Sequence, residues 1–309
     1  MRRRSSLTQL ALGLVVCASV GCGDSGAMTL GGTGGTRGTP DGTGELAIGA
    51  ALLVDVSWVD DRVDAADLQI VDVRSSLDFG AAHIPGALSL SQAGLRATVD
   101  GINGQVAPPD TVEEVLRQAG LRNGTALVVY SGGIDTAAAR VVWTLGYYRH
   151  GDVRLLDGGF DAWQQAALQV EVGPPTSMRS DYAIVGVDES LIEDADGVFD
   201  RLPQGPNTDP DLVLIDARSQ GEFDAGHIPT ARSVQWTKNL SSGSMRTVVE
   251  VRELYPDVEA TDAIVTYCAS GSRASVAWFV MRWLGFEDVR LYDGSWNEWG
   301  SRGDLPVEN

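Results

Sequence analysis

The chain has 309 residues, 43% of them hydrophobic and 21% charged, the balance of an ordinary globular protein with material for two cores. With 23 basic against 42 acidic side chains its formal charge is −19, which argues against nucleic acid or an anionic lipid surface as a partner held by bulk electrostatics. A local site is a separate question, because two or three arginines can outweigh a distant acidic surface.

In chain order, the first element is a processing signal. Arg2, Arg3 and Arg4 are followed by an uncharged apolar stretch, Leu10 to Val20, of 11 residues. A spanning helix needs about 20. The small residues "ASVGC" come next, and Gly21 before Cys22 resembles the lipobox of bacterial lipoproteins, with Ser19 where that motif usually has Leu. The resemblance implies a signal peptide over residues 1–21 and lipidation of Cys22; ordinary secretion with cleavage nearby is the alternative. Residues 22–46 are rich in Gly and Thr without apolar periodicity and read as a flexible tether. The expectation is an exported chain, lipid-anchored at the bacterial cell envelope, facing the periplasm or the surface. Cys17 is then removed and Cys22 lipidated, so Cys268 is the free thiol of the mature chain and no internal disulfide forms.

The remainder repeats itself. "LQIVDVRSSLDFGAAHIPGA" from Leu68 parallels "LVLIDARSQGEFDAGHIPTA" from Leu212, matching Asp72, Arg74, Phe79, His83, Ile84 and Pro85 with residues 144 further on. "TALVVYSGGIDTA" parallels "DAIVTYCASGSRA", and "DVRLLDGGFDAW" parallels "DVRLYDGSWNEW". So long a period indicates duplicated domains rather than a solenoid. In each copy, short β-branched runs alternate with helical stretches, which predicts an α/β fold with a mostly parallel sheet flanked by helices. The copies are placed at residues 47–175 and 176–309. Ligand sites in such sheets lie beyond the carboxyl ends of the strands. That is where "AIVTY" delivers "CASGSRAS".

A thiol attacks as thiolate, and helix N-termini and nearby cations favour that form. Ala269, Ser270, Gly271 and Ser272 are small enough for backbone amides to turn in around the Cys268 sulfur, and Arg273 adds a cation where the helix begins. The competing reading of Cys268 is a small buried hydrophobe. Two of the three histidines, His83 and His227, sit in the repeated "HIP" turn and are expected to be structural. Neither a Cys/His/Asp triad nor a metal-ligand spacing is evident. Chemistry without a strong general base is indicated, such as thiolate attack on a sulfane sulfur, whose leaving group is already an anion. The first copy carries Ser131 in place of the cysteine, and its following segment is two residues shorter before "LG".

The motifs "DVRSSLDFGAAHIPGA", "DARSQGEFDAGHIP", "YCASGSRAS" and "YDGSWNEWG" together resemble the tandem-domain rhodaneses, over residues of about 50 to 305. The resemblance implies a sulfurtransferase acting by ping-pong: Cys268 takes the outer sulfur of thiosulfate as a persulfide and passes it to cyanide or a thiol. It implies that only the C-terminal copy is active, that no cofactor or metal is needed, and that Arg218 binds the donor. A monomer is expected. Lys238 and Trp236 of "VQWTKNL" are expected to form a pocket wall. Protein phosphatases of related fold use Cys-x5-Arg, whereas four residues separate Cys268 from Arg273, which favours a single sulfur atom over phosphate. Mercaptopyruvate enzymes of the family have a loop like "CASG" but pair its Ser with a first-domain His and Asp. The segment "LSLSQAGLRATVDGINGQVAPP" has no His, with Gln105 near the expected place. Thiosulfate is therefore the favoured donor, with 3-mercaptopyruvate and a non-catalytic sulfur- or partner-binding module as alternatives.

Overall fold

A computed structural model describes residues 49–309. The expected signal peptide, Cys22 and the whole of the expected tether lie outside the described residues. Among the described residues fourteen strands follow one another: β1 (Leu53–Val54), β2 (Leu68–Asp72), β3 (Leu88–Ser89), β4 (Arg96–Val99), β5 (Ile102–Val106), β6 (Ala126–Tyr130), β7 (Val153–Leu156), β8 (Ile192–Glu193), β9 (Leu212–Asp216), β10 (Arg232–Ser233), β11 (Leu240–Ser241), β12 (Ser244–Met245), β13 (Ala263–Tyr267) and β14 (Val289–Tyr292). Among the described residues the helices are α1 (Val56–Asp60), α2 (Ser76–Ala81), α3 (Pro109–Ala119), α4 (Thr136–Tyr147), α5 (Gly159–Gln165), α6 (Ala195–Arg201), α7 (Gln220–Asp224), α8 (Val248–Arg252), α9 (Ser272–Trp283) and α10 (Ser295–Trp299).

The duplication seen in the sequence is a duplication of topology. One five-stranded sheet runs β1-β7-β6-β2-β3 and the other β8-β14-β13-β9-β10, with every neighbouring pair parallel. Side chains alternate between the faces of a strand, so each apolar run feeds two cores. Val71, Leu127 and Val129 face a central core, while Ile70, Val128 and Tyr130 face an outer one. In the second sheet Ile215 and Ile264 face the central core, and Leu214, Val265 and Tyr267 the other side.

The central core is common to both domains. Helices α4 and α9 lie against each other and bury Val141, Val142 and Leu145 with Val276, Phe279 and Val280 in one cluster. Both are apolar nearly all round, as a helix enclosed on every side must be. Trp278 is fully buried and donates Nε1–H to the Val289 carbonyl at 2.9 Å; Trp283 packs at the margin. The shorter spacing before "LG" in the first copy does not shorten the helix: α4 and α9 both have 12 residues, and the difference is that Leu145 and Gly146 lie inside α4 whereas Leu284 and Gly285 follow α9.

Two antiparallel hairpins, β4–β5 and β11–β12, leave their own domains and reach across. Val106 N–H donates to Asp293 Oδ2 at 2.6 Å, after β14 of the second domain. Met245 N–H donates to Asp157 Oδ1 at 2.8 Å, at the equivalent place after β7 of the first. Each domain thus lends a hairpin to the loop region of the other.

Candidate active site

Cys268 follows β13 directly and is 1% exposed. The loop after it is held from outside by its carbonyls. Trp296 N–H donates to Cys268 O at 3.0 Å, Asn297 N–H to Ala269 O at 2.9 Å, Arg96 Nη2–H to Ser270 O at 3.0 Å, and Ser275 N–H to Gly271 O at 3.1 Å. Every carbonyl from 268 to 271 is thus engaged. The amides of Cys268 and Gly271 donate to Ser295 Oγ at 3.2 and 3.1 Å. The amides of Ala269, Ser270, Ser272 and Arg273 have no protein acceptor among the described residues.

Gly271 precedes α9 with φ +80° and provides no side-chain cap. A Cβ there would meet Arg140 Nη1 and Asp293 Oδ1, both at 2.6 Å, so only glycine fits by space and by backbone conformation. An uncapped N-terminus leaves donors facing the loop with the positive end of the helix behind them. Ser272 Oγ, in the first turn, is buried and has no partner. The arrangement is a cradle for negative charge with a thiol at its base.

The first domain shares two of these bonds but enters its helix differently, with Asp135 in extended conformation where the second has Gly271 at positive φ. Phe160 N–H and Asp161 N–H donate to Ser131 O and Gly132 O, both at 2.8 Å, as Trp296 and Asn297 do in the second domain. There, however, Asp135 caps α4, accepting from the amides of Ala137 and Ala138, both at 2.9 Å, and from Ser131 Oγ at 2.6 Å. A resident carboxylate fills the place that stands open beside Cys268.

The basic residues separate into distinct roles. Arg218 departs from the donor-binding expectation. It is 2% exposed, its Nε and Nη2 bond the carboxylate of Asp216 at 2.6 to 3.0 Å, and Nη2 also reaches Gly226 O. The guanidinium stacks between Tyr267 and Trp296. Arg74 repeats the pair with Asp72 in the first domain. An arginine two residues after a strand-ending aspartate can fold straight back onto it, and both copies do. Arg273 lies beside Cys268 but forms a fork with Glu222, both bonds 2.7 Å, so its charge is shared. Arg273, with Ser219, holds the Glu222 carboxyl down to about 2. Lys238 is exposed and makes no hydrogen bond or ion pair to the loop, while Trp236 packs on the central core.

Three residues were not singled out by the sequence, and a fourth lies in one of its motifs. Arg96, on the hairpin from the first domain, bonds Gly104 O at 3.0 Å and both Ser270 O and Ser270 Oγ, at 3.0 and 3.3 Å. Arg140, on α4, is wholly buried and pairs with Asp293 at 2.5 Å under Gly271. Asp293, in the motif "YDGSWNEWG", joins both domains beneath the loop. Ser295 is the hydroxyl that gathers the loop amides; it accepts two N–H bonds and donates to Tyr292 O at 2.8 Å. Its φ is +53°, and its equivalent Gly159 has +55°. A non-glycine residue in that conformation is strained, and the only visible return is the hydroxyl.

Two substitutions separate backbone from hydroxyl. Ser295→Ala leaves two buried amides without an acceptor, at about 1–3 kcal/mol each. Ser295→Gly loses the same bonds but relieves the backbone. Both are expected to lower turnover, with Ser295→Gly the more thermally stable; a melting temperature lower for Gly than for Ala would contradict the strain.

The histidines are all accounted for away from the loop. His83 and His227 stack on Phe79 and Phe223 at 3.8 and 3.7 Å and bond the carbonyls of those residues. His150 lies between Tyr182 and Thr125 O, and burial lowers its pKa. Gln105 donates to Val99 O inside its own hairpin. No group of metal-ligating residues occurs among the described residues.

Comparison with known proteins agrees with this geometry. The family model described as a rhodanese-like domain matches residues 55–166 and again 200–302. The thiosulfate sulfurtransferase of Corynebacterium glutamicum is 31% identical over 276 residues, 83% of this chain and 90% of that protein. The 3-mercaptopyruvate sulfurtransferase of Escherichia coli K12 is 28% identical over 278 residues, 82% of this chain and 97% of that protein. The crystal structure of the 3-mercaptopyruvate sulfurtransferase SseA from Escherichia coli superposes with a TM-score of 0.71 at 25% identity, covering 79% of this chain and 98% of that one. Two matched domains, one with a thiol in an open cradle and one with the cradle filled, place the chain in the rhodanese-like family of sulfurtransferases.

Proposed function

We propose that the protein is a thiosulfate sulfurtransferase whose sulfur carrier is Cys268. The observation that carries this reading is the open loop: a buried thiol followed by amides without an acceptor, at an uncapped helix N-terminus. In the first half-reaction the Cys268 thiolate attacks the outer sulfur of thiosulfate. A new S–S bond forms, the old one breaks, and its electron pair leaves with sulfite. In the second, a nucleophile such as cyanide attacks the outer sulfur of the persulfide, taking that atom and returning the thiolate. Neither step transfers a proton to or from carbon or a strongly basic leaving group, which suits a site with no histidine at hand. The amides that hold thiolate or persulfide are fixed before the reaction and need little reorganisation.

The loop "CASG" resembles that of mercaptopyruvate enzymes, but Gln105 in the lent hairpin has no acid–base capacity to pair with Ser270. Thiosulfate, whose leaving group sulfite is a stable anion, needs no such help. The test is a steady-state comparison. The expected result is a higher kcat/KM for thiosulfate than for 3-mercaptopyruvate with cyanide as acceptor. The reverse order would transfer the assignment to 3-mercaptopyruvate, and no turnover with either donor would overturn the sulfurtransferase reading.

A further inference from the structure

We propose that Arg96, on the hairpin lent by the first domain, recognises the anionic end of the sulfur donor at Cys268 and is a specificity-determining residue of the site; this rests on the sulfurtransferase reading above. The strongest reason is its lack of a counter-ion. Arg140 pairs with Asp293, Arg218 with Asp216 and Arg273 with Glu222. Arg96 forms no ion pair with a carboxylate among the described residues, although it is half-buried. Its Nε and Nη2 are used on the Gly104 and Ser270 oxygens, and Nη1 has no protein partner among the described residues.

Such a cation is costly to keep. Burial works against its charge, and so does Arg140 nearby; Asp293 and Cys268 are the groups that favour it. A half-buried guanidinium without a carboxylate is destabilising unless something negative reaches it. Clamping carbonyl oxygens alone would need only a neutral donor. The loop itself offers no second cation, since Ala269 and Ser270 are both uncharged. Arg96 Nη2 reaches both Ser270 O and Ser270 Oγ, two residues after Cys268, which leaves Nη1 for a small anionic head bound at the loop. Sulfonate and carboxylate share that chemistry. The first domain therefore contributes recognition although its own loop is filled by Asp135.

The test uses two alkylating reagents of similar size at Cys268, iodoacetate as an anion and iodoacetamide as its neutral counterpart. The full chain is labelled and the Cys268 peptide is followed by mass spectrometry. Relative to their rates on a free small thiol, iodoacetate is expected to be favoured in the wild type. Arg96→Gln, which keeps a hydrogen-bond donor, is expected to lower that preference by about tenfold, the loss of one bond to a charged group; Arg96→Lys is expected to retain most of it. An unchanged ratio in Arg96→Gln would overturn the proposal, and so would an equal slowing of both reagents, which would make Arg96 only a clamp on the loop. Should Arg96→Gln fail to fold, equal relative rates in the wild type would be enough to reject it. Alkylation requires no sulfur transfer, so absent turnover would overturn the functional reading and leave this result standing. With turnover, the donor whose KM rises in Arg96→Gln distinguishes sulfonate from carboxylate.

Discussion

Cys268→Ser is expected to reduce sulfite release and thiocyanate formation to background while leaving the fold and melting temperature nearly unchanged. Cys268 and Ser differ by one atom, and the position is already occupied by serine in the first copy, where Ser131 O and Gly132 O accept the same two bonds. A hydroxyl oxygen cannot accept and return sulfane sulfur under these conditions. The companion experiment is Ser131→Cys in that variant. Placing a thiol in the first domain is expected to restore nothing, because Asp135 occupies the amides that would stabilise a thiolate and its carboxylate would repel one. Sulfur transfer by the Cys268→Ser/Ser131→Cys protein would show that the two loops differ only by the nucleophile, contrary to the geometry.

Asp293→Ala is expected to give the largest loss of stability, about 3–5 kcal/mol, as for removal of one partner from a buried ion pair. Arg140 and Asp293 are 0% and 2% exposed, so solvent cannot replace the missing carboxylate. Nε and Nη2 of Arg140 already lack partners, and the variant would leave the whole guanidinium uncompensated. Val106 N–H would lose its acceptor as well, loosening the hairpin that carries Arg96. Replacing both partners, as Arg140→Met with Asp293→Leu, is expected to recover much of the stability, because no buried charge remains. Urea unfolding of the wild type, Arg140→Met, Asp293→Leu and the double variant closes the cycle. Additive losses in the double variant would mean the two groups do not interact as described. A domain with total stability in the range of about 5–15 kcal/mol would tolerate the single change poorly, so expression level is itself a rough readout.

The fold was legible in the sequence because its signals are local and repeated. Runs such as "LVLID" and "AIVTY" specify buried parallel strands without reference to anything distant. Duplication also supplied an internal control, since "YSGGIDTA" set beside "YCASGSRA" identifies the position that changed. The loop was readable for the same reason: small residues after a strand, a glycine before a helix, and one cation. The supporting charges were not readable. Arg140 meets Asp293 across 153 residues and Arg96 meets Ser270 across 174, both between domains, and no spacing rule connects them. The pairing of Arg218 is local, with its own aspartate two residues back, but a basic residue at a strand end looks available until that bond is seen. Arg273 is legible as a cation at the helix start, but its fork with Glu222 is not, because Glu222 lies 51 residues earlier, inside a capping box that the sequence explains without it. Ser295 did have a signal. The first copy reads Gly158-Gly159 where the second reads Gly294-Ser295, and a serine replacing glycine at a positive φ marks a hydroxyl kept at a cost.

The central claim is that Cys268 carries the sulfur. Mixing the protein with thiosulfate in the absence of any acceptor tests it most directly, with sulfite measured against protein and the Cys268 peptide weighed. The account predicts one sulfite per chain and one added sulfur atom on Cys268, removed on addition of cyanide. Sulfite release or thiocyanate formation with no sulfur on Cys268 would contradict it.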